Sequence, residues 1–292
     1  MMAGAAAFPY VVAARLAPAA RGSAPFVEGI AARAGMWAGA VLVALQLPRM
    51  ALQARAFIDT GDALWPMIVN VMGTLWGRAW FVQTLSAAVA TAGFVSIRRS
   101  ASRRGPRTRR FANAQLGGRL ALTGAVMVLA CAPFMGHPAA ASHGAWIDVA
   151  VDLTHISAVT TWVGVLSVMF LVSRAPELHS EGGSTLAAMI AAFHPVALRG
   201  APLAVVSGAA GAFLRLPRID ALWLSPYGRL LLVKTCLVML VLALGALNSR
   251  TAMRRADGGR VRSVHGSLAA EVLLAVLTLV VTANLVATEP PG

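Results

Sequence analysis

Within one long apolar run, three side chains stand out because lipid should exclude them: Asp148, Asp152 and His155. Their spacing is i, i+4 and i+7, which places all three on one face of a helix, and Trp162 continues that face. A polar helix end accounts for Asp148. It does not account for His155, which at 1.5 Å of rise per residue lies ~13 Å inside the run. An ionisable group at that depth must be matched by a partner or a task. Imidazole is a good ligand for copper, zinc or iron, and a carboxylate beside it adds charge.

A second pattern is softer. Met127, Cys131 and Met135 repeat at i, i+4 and i+8, and His137 and His143 follow within GHPAAASH. Thioether and thiol ligands select Cu(I), while imidazole serves Cu(II) and Cu(I) alike. The plain alternative is packing, since methionine is a common core filler and a free cysteine is usually just buried. Cys236 and Met239 offer a weaker i, i+3 pair. His179, His194 and His265 fall at the ends of apolar runs and read as solvated or interfacial. The two cysteines, Cys131 and Cys236, belong to no C-x-x-C pair, which argues against zinc-ribbon and thioredoxin-like chemistry.

The elements that must position these residues are membrane helices. The 292 residues are 58% hydrophobic and only 12% charged, with a mean hydropathy of +0.71. Soluble domains carry about twice that charge, and a spanning helix needs about 20 mostly apolar residues. The runs 79–97, 117–136, 146–172, 195–214, 228–247 and 267–287 meet that need, and 34–52 does so despite Pro48 and Arg49. The expectation is an all-α polytopic transmembrane helix bundle of about seven spans, or eight if residues 3–14 also cross. That segment is twelve apolar residues with no basic residue before it, unlike a signal peptide. Residues 1–33 are therefore expected to be a tail or interfacial segment, and 34–292 the transmembrane domain.

The net charge of +14 comes from arginine, since Lys234 is the single lysine. Nucleic acid is one reading of such a charge. However, the arginines sit between the apolar runs, seven in 98–110 and five in 250–262. Four spans separate the two clusters, so both fall on the same side, which the positive-inside rule makes cytoplasmic. The GHPAAASH loop, residues 215–227 and the C-terminus then face outward. Trp65, Trp76, Trp80, Trp146 and Trp223 fall near the outer boundaries, as an aromatic belt would. Asp152 with Lys234, and Arg199 with Glu271, sit at matching depths and are expected to neutralise each other.

The stretch 152–166, DLTHISAVTTWVGVL, resembles the D-x-x-H…W-x-G-x-L pattern of the copper resistance D (CopD) family of bacterial inner-membrane proteins. Gly136-His137 resembles that family's G-H-A loop, with Pro138 in place of alanine. Tyr227-Gly228, Leu232 and Lys234 resemble its Y-G…L-x-K entry to a late span. Glu271, Thr282-Ala283 and Pro290-Pro291 resemble its closing helix, and Thr74, Gly77 and Trp80 the approach to an early one. The family commonly carries one more N-terminal span than this chain offers. The resemblance implies copper import across the inner membrane, with a periplasmic copper-binding protein (CopC) as donor. The expected copper path is His137, His143, His155 and Asp152, with Met127, Cys131 and Met135 behind them. No Walker-type phosphate loop occurs, so transport is expected to be passive or gradient-driven, and no enzymatic activity is expected. Two other readings fit the same residues: a haem or redox protein using His155 as an axial ligand, and a non-transporting docking subunit for periplasmic copper proteins.

Overall fold

The computed structural model describes residues 1–16, 22–58, 63–102, 107–136, 145–175, 182–216, 218–256, 261–288 and 291. Ten α-helices occur among them: α1 (Met2–Val11), α2 (Ala24–Arg55), α3 (Leu64–Gly73), α4 (Leu75–Ser102), α5 (Arg107–Cys131), α6 (Ala145–Ser173), α7 (Gly182–Arg215), α8 (Ala221–Leu224), α9 (Pro226–Ala256) and α10 (Val261–Ala287). No strand occurs among the described residues. Seven helices are long and apolar enough to cross a membrane: α2, α4, α5, α6, α7, α9 and α10. The chain is an all-α, multi-pass membrane protein.

Helix bounds differ from the hydropathy runs for physical reasons. The second helix starts at Ala24, ten residues before the apolar run at 34, because Glu28 and Arg33 dilute hydropathy without breaking a helix. Pro48 lies inside α2, and Pro195 and Pro202 lie inside α7. Proline costs less in a spanning helix, where neighbouring groups take over the carbonyls it leaves bare. Met2–Val11, within the stretch expected as a tail or interfacial segment, is helical with Met2, Ala5, Ala6 and Phe8 buried.

The chain divides into two compact units, Met1–Ala7 with Gly29–Leu153, and Phe8–Glu28 with Thr154–Gly292. In the first, α4 and α5 pack backbone to backbone. A Cβ added at Gly93 would stand 2.5 Å from the Ala121 amide nitrogen, and one at Gly117 would stand 2.8 Å from the Gly93 carbonyl oxygen. Lipid tails are as apolar as leucine, so close packing of small residues is what holds such a helix pair together.

The ten-residue helix α3 was not anticipated, because its apolar stretch is too short to read as a span. Its Leu64, Met67 and Ile68 pack on a cluster of Met50, Ala54, Val71, Ala79, Trp80 and Met135. The turn from α3 into α4 is held by Thr74, whose hydroxyl donates to the Val71 carbonyl (2.6 Å) and accepts from the Gly77 amide (3.2 Å). In the second unit, Ser225 does the same between α8 and α9. Its hydroxyl donates to the Ala221 carbonyl (2.7 Å) and accepts from the Gly228 amide (2.9 Å). Each serine or threonine thus caps a spanning helix, satisfying an amide that has no intrahelical partner. Each glycine leaves room for the preceding short helix, since a Cβ at Gly77 or Gly228 would stand 2.5 Å from the Cα of Met72 or Leu222. The Thr74…Gly77 and Tyr227-Gly228 motifs are, in this structure, helix-entry devices.

Candidate functional site

His155 sits in α6 and belongs to the second unit, where α7 forms one wall of its surroundings. Pro202 has no amide hydrogen for the Leu198 carbonyl, so α7 lacks one helical bond there. Just beyond it, the Ser207 hydroxyl folds back onto the carbonyls of Leu203 and Ala204, the latter at 3.3 Å. The Ala204 carbonyl also lies 2.9 Å from His155 Nδ1, and Ser207 Oγ is 3.4 Å from the same nitrogen. A carbonyl can only accept a hydrogen bond, so Nδ1 carries a proton, and in the neutral ring the lone pair is then on Nε2. Gly208 completes the wall: a Cβ there would stand 3.0 Å from His155 Cε1 and 3.2 Å from Nδ1. The imidazole is seated against a glycine, and its tautomer is set by a backbone carbonyl. Metal-bound histidines share this arrangement, in which the second nitrogen is tied to a carbonyl or carboxylate.

The other sequence-predicted site residues separate into groups. His137 and His143 lie outside the described residues, as does His179. Asp148 is in the first turn of α6, where a carboxylate suits the positive end of the helix. Asp152 lies on the same helix but on the first unit's side of the unit boundary, which falls between Leu153 and Thr154. Lys234, its expected partner, belongs to the second unit. Arg199 and Glu271 have contrasting environments: Arg199 is exposed, while Glu271 is buried beside Gly245, whose added Cβ would lie 3.9 Å from a Glu271 carboxylate oxygen.

The methionine–cysteine stripe does not form one helical face. The α-helix ends at Cys131, and Ala132–Met135 is a 3-10 turn begun by Pro133. Met127 is exposed and Cys131 is buried. Met135 is buried in the apolar cluster with Met50 and Trp80. The i+8 spacing failed because proline tightened the last turn, which rotates Met135 off the Met127–Cys131 face. Cys236 and Met239 are both exposed on α9. Among the described residues, no group of three or more His, Cys, Asp and Glu side chains is placed to hold a metal ion.

Sequence reasoning missed a polar network inside the first unit. Gln46 Nε2 and Arg49 Nη1 on α2 both donate to Gln83 Oε1 on α4, at 3.0 and 3.3 Å. Gln83 Nε2 donates to the Val128 carbonyl on α5 at 3.2 Å, and Trp80 Nε1 donates to the Gln46 carbonyl at 3.0 Å. Arg49 also lies over the Trp76 ring, 5.7 Å from its centre, and Trp76 Nε1 donates to the Met135 carbonyl at 3.2 Å. Trp76 and Trp80 are therefore internal packing groups, whereas Trp65, Trp146 and Trp223 are exposed, as a belt requires. Glutamines within apolar runs were the available clue, because an amide in lipid seeks a partner helix.

These features define a polytopic helical membrane protein with a tautomer-fixed histidine inside a span. Residues 187–285 match the family model described as Copper resistance protein D, a segment that includes α9, most of α10 and the α7 wall of His155. Tyr227, Gly228, Lys234 and Glu271 lie within the matched segment; the 152–166 stretch lies before it. The chain is also 24% identical over 157 residues to a protein of Bacillus subtilis (strain 168) named copper transport protein CutJ. That alignment covers 54% of this chain and 29% of the relative, so the chain spans under a third of that protein's length. No solved structure matches the chain.

Proposed function

We propose that this protein moves copper ions through a bacterial inner membrane, from periplasm to cytoplasm, with copper as cargo and without catalysis. The observation that carries this reading is His155, whose Nδ1 is committed to the Ala204 carbonyl so that Nε2 is left as a ligand. The CopD segment and the name of the Bacillus subtilis relative support copper as the metal. In this reading His137 and His143 capture the ion from a periplasmic copper-binding protein of the CopC type. His155 and Asp152 then pass it on, with Cys131 and Met127 as the soft ligands further along. One imidazole rather than a closed cage suits transport, because an ion bound too well does not leave.

Copper uptake into proteoliposomes containing only this protein tests the reading. His155→Ala and His155→Asn are expected to lower uptake at least about tenfold. The asparagine variant keeps a side-chain N–H donor, so its failure identifies the lost Nε2 rather than the lost bond to Ala204. Uptake at the wild-type rate by either variant overturns His155 as the carrier residue. Absence of uptake by the wild-type protein leaves docking or assembly of periplasmic copper proteins as its role.

A further inference from the structure

A groove of about 770 Å³ opens on the surface of the first unit between α2 and α4. Its walls are small apolar side chains, among them Ala40, Ala44 and Ala88, and one end is polar, closed by Ser96, Arg99 and Asn113. From Ala88 to Ser100 the groove follows α4 for ~18 Å by helical rise. The hydrocarbon core of a bilayer is about 30 Å thick, so this length corresponds to about one leaflet. A furrow of that length, apolar along its run and cationic at its end, has the outline of one lipid.

The polar end specifies the headgroup. Arg99 is exposed there, and its planar guanidinium suits phosphate oxygens. The Asn113 side chain is exposed beside it, while Ser96 Oγ donates to the Asn113 carbonyl at 3.2 Å and Ser100 Oγ to the Ser96 carbonyl at 2.8 Å. The first of these bonds ties α4 to α5, and the second lies within α4. The same end of α4 leads into residues 98–110, with seven arginines and no acidic residue. Basic rims between spanning helices attract anionic lipid at about 1 kcal/mol per arginine, or about fivefold in affinity.

We propose that this groove is a binding site for an anionic phospholipid, one acyl chain lying along α2 and α4 and the phosphate meeting Arg99. None of the residues lining the groove belongs to the copper path proposed above.

Native mass spectrometry of the full chain, released from nanodiscs of equal phosphatidylglycerol and phosphatidylcholine, tests it. The wild-type protein is expected to retain phosphatidylglycerol in preference to phosphatidylcholine. Arg99→Gln should lower that preference about fivefold. Ala88→Phe, which fills the groove, should remove the retained lipid altogether. Should Ala88→Phe fail to accumulate in the membrane, Ala92→Leu at an exposed groove position carries the steric arm. Equal retention of the two lipids, an Arg99→Gln variant that retains lipid as the wild type does, or groove-filled variants that still hold phosphatidylglycerol would each overturn the proposal. So would displacement of the lipid by an equal concentration of glycerol 3-phosphate, which has the phosphate but no chain. Finding a second copy of the protein bound in place of lipid would also overturn it.

Discussion

In the first unit the α3-to-α4 turn is capped by Thr74 and relieved by Gly77; in the second, the α8-to-α9 turn is capped by Ser225 and relieved by Gly228. The two units enter these spans alike but treat buried polar groups differently. Gln46, Arg49 and Gln83 bond to one another and to the Val128 carbonyl, leaving Gln46 Oε1 without a partner among the described residues. His155 instead anchors one nitrogen and presents the other. A network joining α2, α4 and α5 fixes the packing of three helices, whereas a half-committed imidazole keeps a lone pair for a ligand. The first arrangement is a joint between helices, whereas the second leaves an imidazole nitrogen with the chemistry of a metal ligand.

The shared turns yield the largest expected effect. Gly77→Val and Gly228→Val should each prevent accumulation in the membrane, because the added side chain meets backbone rather than a movable side-chain tip. Membrane-fraction immunoblots check this. If one variant accumulates normally while the other does not, the two turns are not equivalent.

Gln83→Leu tests the network as a structural joint. Three hydrogen bonds converge on the Gln83 amide. At about 0.6 kcal/mol for a typical bond between membrane helices, the loss should be about 2 kcal/mol. Thermal unfolding in detergent should show a lower midpoint, while copper uptake per folded molecule stays near wild type. His155→Ala should do the reverse. A Gln83→Leu protein that folds normally but moves no copper would break the distinction between the units.

Gly208→Ala presses on the ring without removing it. The new methyl would lie 3.0 Å from Cε1, so the imidazole must shift by a few tenths of an ångström. A cost of about 1 kcal/mol is expected, as for mild overpacking. Uptake should fall part-way, more than the unfolding midpoint suggests. Uptake unchanged from wild type would mean that the seat against α7 does not matter to the ion.

Met135→Leu should have the smallest effect. Met135 packs in an apolar cluster, so a volume-conserving change should cost under about 1.5 kcal/mol and leave copper uptake intact. Met127→Leu is the informative contrast, since Met127 is exposed. A transport defect in Met135→Leu would return this methionine to the copper path.

The sequence by itself determined that this is an all-helical membrane protein, roughly where its seven spans lie, and that His155 is a residue to explain. Hydrophobicity is local and additive along the chain, and an imidazole within an apolar run is conspicuous wherever the helix packs. The resemblance to the CopD family was legible too, and a match to that family's model covers residues 187–285. Other features were decided by the tertiary structure. The tautomer of His155 depends on the Ala204 carbonyl, 49 residues away in sequence. The Gln46–Gln83 bond joins residues 37 apart. Met135 left its expected face because Pro133 converted the end of a helix into a 3-10 turn that packs under α3. Periodicity describes one helix at a time, whereas which polar atom is satisfied and which is left over depends on which helix stands opposite it.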